Sequence, residues 1–157
     1  MLSALLFCLY LQVFAQQNKA NETVFYQGMY SIPVLNPPKK AMSIEDAIAY
    51  KDSVISLEIS FQSPKLTSIP KEIELFPNLK WLDVSYNRVS IIPREILNCK
   101  NLVCLDLTGN QYLQTLPDFL NELPNLKVIK LKDISSMSST KRVALQKKFP
   151  KIYLDFK

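Results

Sequence analysis

From Val54 onward, apolar residues recur at intervals that are neither a sustained helical period nor a sustained strand period. Starting at Leu79 they fall at Leu79, Leu82, Val84, Val89, Ile92, Ile96 and Cys99, with Asn87 and Pro93 at fixed places among them. The same order returns at Leu102, Leu105, Leu107, Leu113, Leu116, Leu120 and Leu123, now with Asn110 and Pro117. The spacing is 23 residues and then 24, the extra residue lying between Asn110 and Leu113. An earlier copy begins at Val54 with Leu57, Ile59, Leu66, Ile69, Pro70, Ile73 and Phe76, and a later one at Leu126 with Ile129 and Leu131. Self-similarity at this period marks a stacked repeat.

Each repeat holds one local element with a clear signature. In the triplet Leu-x-Leu the alternation of a strand points two side chains inward and the middle one outward. One such coil cannot cover its own apolar edge, whereas stacked coils share a continuous core. Asn87 and Asn110 follow the strand where the chain must turn sharply inward, and a side-chain amide there can satisfy backbone groups that the turn buries. Pro70, Pro93 and Pro117 suit the start of a short helical or extended return segment, where a missing N–H costs little.

The pattern LxxLxLxxN followed by (I/L)PxxI resembles the leucine-rich-repeat family over roughly residues 43–157. In detail it resembles the short exported bacterial members that carry Ile-Pro or Leu-Pro on the outer side. The resemblance implies an α/β right-handed leucine-rich-repeat solenoid with a parallel concave sheet, about four coils plus terminal caps. It also implies a structural role for Asn87 and Asn110 as a ladder, not a ligand-binding one. The coils are expected near 54–78, 79–101, 102–125 and 126–134. Ser43 followed by Glu45 and Asp46 makes a helix start, so a capping helix is expected over 43–51. The C-terminal cap, 135–157, has Ile134 just ahead of it where Asn is expected. It then runs through a Ser-rich turn, a helix near 140–148 ended by Pro150, and an alternating tail from Ile152 to Phe156 that makes a last strand.

Strand parity sets the outward positions into columns. The first reads Ser56, Trp81, Cys104, Val128 and Tyr153; the second Glu58, Asp83, Asp106, Lys130 and Asp155; the third Ser60, Ser85, Thr108 and Lys132. The expected binding face is therefore Trp81, Asp83, Ser85, Cys104, Asp106 and Thr108, with Glu58 and Lys130 beside them. Trp81, the single tryptophan, is the natural anchor; the alternative is that its ring packs across Ser56 and Cys104 and shields the sheet. Asp83 and Asp106 are expected to be solvated, so acid catalysis or cation binding is disfavoured.

Composition narrows the chemistry further. With no histidine there is no imidazole base, no Ser–His or Cys–His pair and no His-ligated zinc. Two glycines, Gly28 and Gly109, cannot build a phosphate-cradling loop. Residues 127–157 hold nine Lys or Arg against two Asp, a net of +7, whereas residues 1–126 hold ten basic and twelve acidic groups, a net of −2. The basic cluster Lys141, Arg142, Lys147, Lys148 and Lys151 is expected to be the solvated face of a cap; the alternative is a self-associating envelope component that binds through it. No cofactor, no metal and no nucleic-acid partner are expected, and a small hydrolase is the weaker reading.

The thirteen residues from Leu2 to Phe14 are almost wholly apolar and span roughly 20 Å as a helix, short of a ~30 Å hydrocarbon core. With Val13-Phe14-Ala15 as a cleavage site, residues 1–15 read as a signal peptide. Residues 16–42 then form a polar, Pro-containing extension with the sequon Asn21-Glu22-Thr23, and the mature chain carries no integral membrane anchor. The expected location is secreted, or periplasmic or cell-envelope. Cys99 and Cys104 remain after cleavage. The repeat sets them on opposite sides of a turn, one in the core and one outward, which argues against their pairing.

Overall fold

A computed structural model describes residues 41–157. The expected signal peptide and nearly all of the 16–42 extension lie outside the described residues. Helix α1 (Ile44–Ile48) is followed by strands β1 (Ser56–Glu58), β2 (Trp81–Asp83), β3 (Cys104–Asp106) and β4 (Val128–Lys130), then helix α2 (Ser139–Lys148) and strand β5 (Tyr153–Asp155). The strands form one parallel sheet in the order β1-β2-β3-β4-β5. Parallel neighbours need a crossover; the last carries α2, and the first three are return segments carrying short 3-10 helices, Lys71–Leu75, Arg94–Asn98 and Asp118–Glu122. Pro70, Pro93 and Pro117 sit immediately ahead of these helices in extended conformation, where an N–H is not required.

The core lies between sheet and return segments. Leu57, Leu82, Leu105, Ile129 and Leu154 are the middle residues of the strands and stand in register. Each is buried, as are Ile73, Ile96 and Leu120 facing them from the 3-10 helices. Three residues per strand give too few hydrogen bonds to hold alone, so most of the cohesion comes from this shared apolar column. At the front, Ala41, Ile44 and Ala47 close the first coil, and Ser43 caps α1 through the Asp46 N–H at 3.1 Å. At the back, Leu145, Phe149 and Ile152 bury against the fourth coil, and β5 adds the last strand.

Two columns of amides tie coil to coil. Asn87 donates to the carbonyls of Val84 (3.0 Å), Ser85 (3.2 Å) and, one coil back, Ile59 (2.9 Å), and accepts from Gln62 and Leu66 N–H, both at 3.2 Å. Asn110 donates to Leu107 (2.9 Å), Thr108 (3.4 Å) and, one coil back, Val84 (3.1 Å), and accepts from Val89 N–H at 2.8 Å. A second column, not singled out by the sequence reading, precedes β2, β3 and β4. Asn78, Asn101 and Asn125 donate to the carbonyls of Asp52, Pro77 and Lys100 at 2.9, 3.0 and 2.8 Å. Its signature is the repeated Asn-Leu at 78–79, 101–102 and 125–126.

Replacing Asn87 or Asn110 with Ala leaves several buried backbone groups unpaired, so each variant should lose about 1–3 kcal/mol of stability. Thermal melts of the two variants check this. Unchanged melting with altered ligand binding would refute the structural assignment.

Candidate functional site

The register pairs join Ser56, Trp81, Cys104, Val128 and Tyr153 in one row across the sheet, and Glu58, Asp83, Asp106, Lys130 and Asp155 in the next. The exposure of these rows differs from the expectation. Trp81, Asp83 and Glu58 are only half-buried, but Ser85, Cys104, Asp106, Thr108 and Lys130 are buried. The cause is side-chain length. Lys130 reaches across the neighbouring strand, placing its ammonium 3.1 Å from Asp106 and 5.1 Å from the centre of the Trp81 ring. Trp81 and Lys130 thus close over the short side chain of Cys104 between them, which is 3% exposed.

Solvated carboxylates at Asp83 and Asp106 are accordingly corrected. Asp106 is a buried partner of Lys130 that also accepts the Thr108 N–H at 3.0 Å. A buried ion pair holds a fixed geometry at the cost of desolvation. Asp83 accepts the Ser85 N–H at 2.8 Å. Burial pushes its carboxyl above the ordinary value of 3.8, against those hydrogen bonds, and the nearby charges of Asp106 and Glu58 add to the rise. Farther along the sheet Lys132 pairs with Asp155 at 3.3 Å.

The thiols are poor nucleophiles. Burial raises Cys104 to about 12, with Lys130 opposing and the surrounding aspartates reinforcing, and burial alone raises Cys99 to about 12. Cys99 sits in the core with its Sγ against the Ile73 carbonyl at 3.1 Å, and both cysteines are unbridged. No group of three or more His, Cys, Asp or Glu suited to a metal ion occurs among the described residues.

The basic C-terminal end is largely engaged with the body of the protein. Lys141 donates to Gln114 Oε1 at 2.9 Å and the Ser136 carbonyl at 3.3 Å. Arg142 donates to the Met137 carbonyl at 3.1 Å and lies over Phe156, and Lys148 binds Asp118 and the Leu116 carbonyl. These charges stitch α2 onto the last coils. The sequence reading also missed two exposed aromatics beside the sheet, Phe61 and Tyr86, which occupy the turn position just ahead of the amide ladder.

Comparison with known proteins agrees with this geometry. The model for "Leucine Rich repeats (2 copies)" matches residues 77–121. Among solved structures, a leucine-rich-repeat protein of Leptospira interrogans superposes with a TM-score of 0.60 at 32% sequence identity. The match covers 74% of this chain but spans only 28% of that protein's length. No functionally curated protein matches the sequence.

The raised carboxyl of Asp83 gives a pH test. A carboxyl whose folded value lies above its unfolded one favours folding while protonated and opposes it once ionised. Its favourable contribution is complete below the unfolded value and is lost as pH rises through the folded value. Asp83→Asn keeps an acceptor for the Ser85 N–H and removes the ionisation. The variant should melt higher than the parent at pH 7, and the gap should close as pH falls towards 4. A gap that widens on acidification would contradict the assignment.

Proposed function

This chain is a leucine-rich-repeat protein, and we propose that it acts by holding a protein partner against the concave, open face of its sheet. Leucine-rich-repeat domains generally mediate protein–protein interaction and are typically non-enzymatic scaffolds. The observation that carries the finer reading is the state of Trp81. The only tryptophan lies half-buried on the second strand, braced by Lys130, with its remaining surface open to solvent. A large ring held still loses little freedom when a partner covers it, which is what an affinity anchor needs. The surrounding Asp83, Ser85, Asp106 and Thr108 have their hydrogen bonds made internally, so they form a stiff polar rim.

Catalysis finds little support in the same residues. There is no histidine, the Cys104 thiol is raised to about 12, and Asp106 is committed to Lys130. Binding through the basic end is also less supported, because Lys141, Arg142 and Lys148 are spent on holding α2 in place. No helix among the described residues is long and apolar enough to cross a membrane. We further propose export to the cell envelope or beyond, on the apolar run Leu2 to Phe14 and the cleavage site ending at Ala15.

Trp81→Ala should weaken partner binding by about 2 kcal/mol or more with a small change in melting temperature. Lys147→Glu with Lys151→Glu, both exposed, should do far less. Titration calorimetry on a partner recovered with the mature protein decides the order, and a reversed order would move the functional surface to the basic end. Export is checked by intact mass: the secreted species should begin at Gln16, and a species retaining residues 1–15 would contradict it.

A further inference from the structure

Phe61, Tyr86, Gly109 and Asp133 hold the same turn position in successive coils, and all four have left-handed backbone, with φ of 51°, 54°, 72° and 52°. That conformation suits Gly and is tolerated by Asp, but it strains a bulky residue. The turn does not demand a ring, because the third and fourth coils make it with Gly109 and Asp133. Burial does not compensate either: Phe61 is 63% exposed and Tyr86 39%. Bulky rings in this conformation are confined to the first two coils, and such an outlier motivates a functional reading.

The two rings form a fixed ridge along the edge of the sheet face. Their centroids are 4.4 Å apart and their planes 17° from parallel. Tyr86 is sandwiched between Phe61 and Gly109, where an added Cβ would come within 2.5 Å of Tyr86 Cδ1. Its hydroxyl donates to Asp133 Oδ2 at 3.2 Å. At the other end the Lys65 ammonium donates to the Tyr86 carbonyl at 2.7 Å and stands 5.1 Å from the centre of the Phe61 ring. With its faces occupied, Tyr86 offers its rim outward, which suits a packed side chain better than a stacked sugar or base.

Charge selects the occupant. The ridge and the adjoining second and third columns carry five carboxylates, Glu58, Asp83, Asp106, Asp133 and Asp155, against three lysines, Lys65, Lys130 and Lys132, in a chain whose formal net charge is +5. Phe61 and Trp81 each already receive an ammonium group from within the protein. We propose that the Phe61–Tyr86 ridge anchors a basic segment of a protein partner, an Arg or Lys side chain packing on the Tyr86 rim and pairing with Asp133. This rests on the sheet face being the protein-binding surface, and it adds the chemistry of what binds there.

The probes are nona-arginine and nona-glutamate peptides, titrated at constant ionic strength near ~0.15 M against the full chain and its Phe61→Gly, Tyr86→Gly and Trp81→Ala variants. Nona-arginine should bind, shift the ring-proton resonances of Phe61 and Tyr86 in the unaltered protein, and lose about tenfold or more in affinity in each glycine variant. Glycine relieves the left-handed strain while giving up the ring stack and the Lys65 contact, so Phe61→Gly should stay folded and melt near the parent. Equal binding of nona-glutamate, unshifted ring resonances, or glycine variants that bind like the parent would overturn the ridge. If Trp81→Ala alone loses affinity, the ridge fails and the sheet-face reading stands. If no variant loses affinity while nona-arginine still binds, both fail together.

Discussion

The inward turn after each strand is the constraint on which the rest of the solenoid depends. It brings backbone groups of two coils together around buried side chains, and those groups must be paired there. The Asn87 and Asn110 amides do this, each reaching its own coil and the one before. Because each amide spans two coils, the strands are fixed in register and the Leu57–Leu154 column closes without gaps. At both ends the requirement lapses. The first coil has Gln62, which gives its backbone N–H to Asn87, and the fourth has Ile134, buried against the cap with no further coil to join.

A fixed register has a consequence for the open face. Side chains in neighbouring strands meet at a set spacing of about 4.8 Å, so a long chain on one strand reaches the row of the next. Lys130 uses that reach to join Asp106 and Trp81. The face is consequently organised by the protein's own contacts, with its largest ring braced. Organisation of this kind lowers the ordering cost of binding instead of adding contacts.

The sequence made the fold legible because repeat, strand parity and ladder asparagine all point to the same coil. The rows on the sheet followed from parity alone. Their burial did not, because parity fixes direction and says nothing about how far a neighbour's side chain leans. Asp106 is outward by parity and 6% exposed because Lys130 covers it. The asparagines at 78, 101 and 125 were visible as a repeated Asn-Leu, but a polar residue before a strand has no distinctive period to set it apart. Phe61 and Tyr86 escaped notice for a different reason. Their importance lies in backbone φ, and sequence gives no sign of a bulky residue occupying a glycine's conformation.

Net charge alone does not show how the C-terminal cations are used. The +7 of residues 127–157 invites a reading of the C-terminal end as an anion-binding patch. Yet Lys141, Arg142 and Lys148 are each held by carbonyls, a glutamine or an aspartate of the last coils. A terminal coil has carbonyls and an apolar edge with no successor to cover them, and long cationic side chains can do both, their stems on the apolar edge and their heads on the carbonyls. Part of the positive charge thus serves to close the end of the solenoid. On the sheet face, by contrast, carboxylates outnumber ammonium groups, and the half-open rings lie there. The sheet face is thus locally acidic in a chain whose formal net charge is positive.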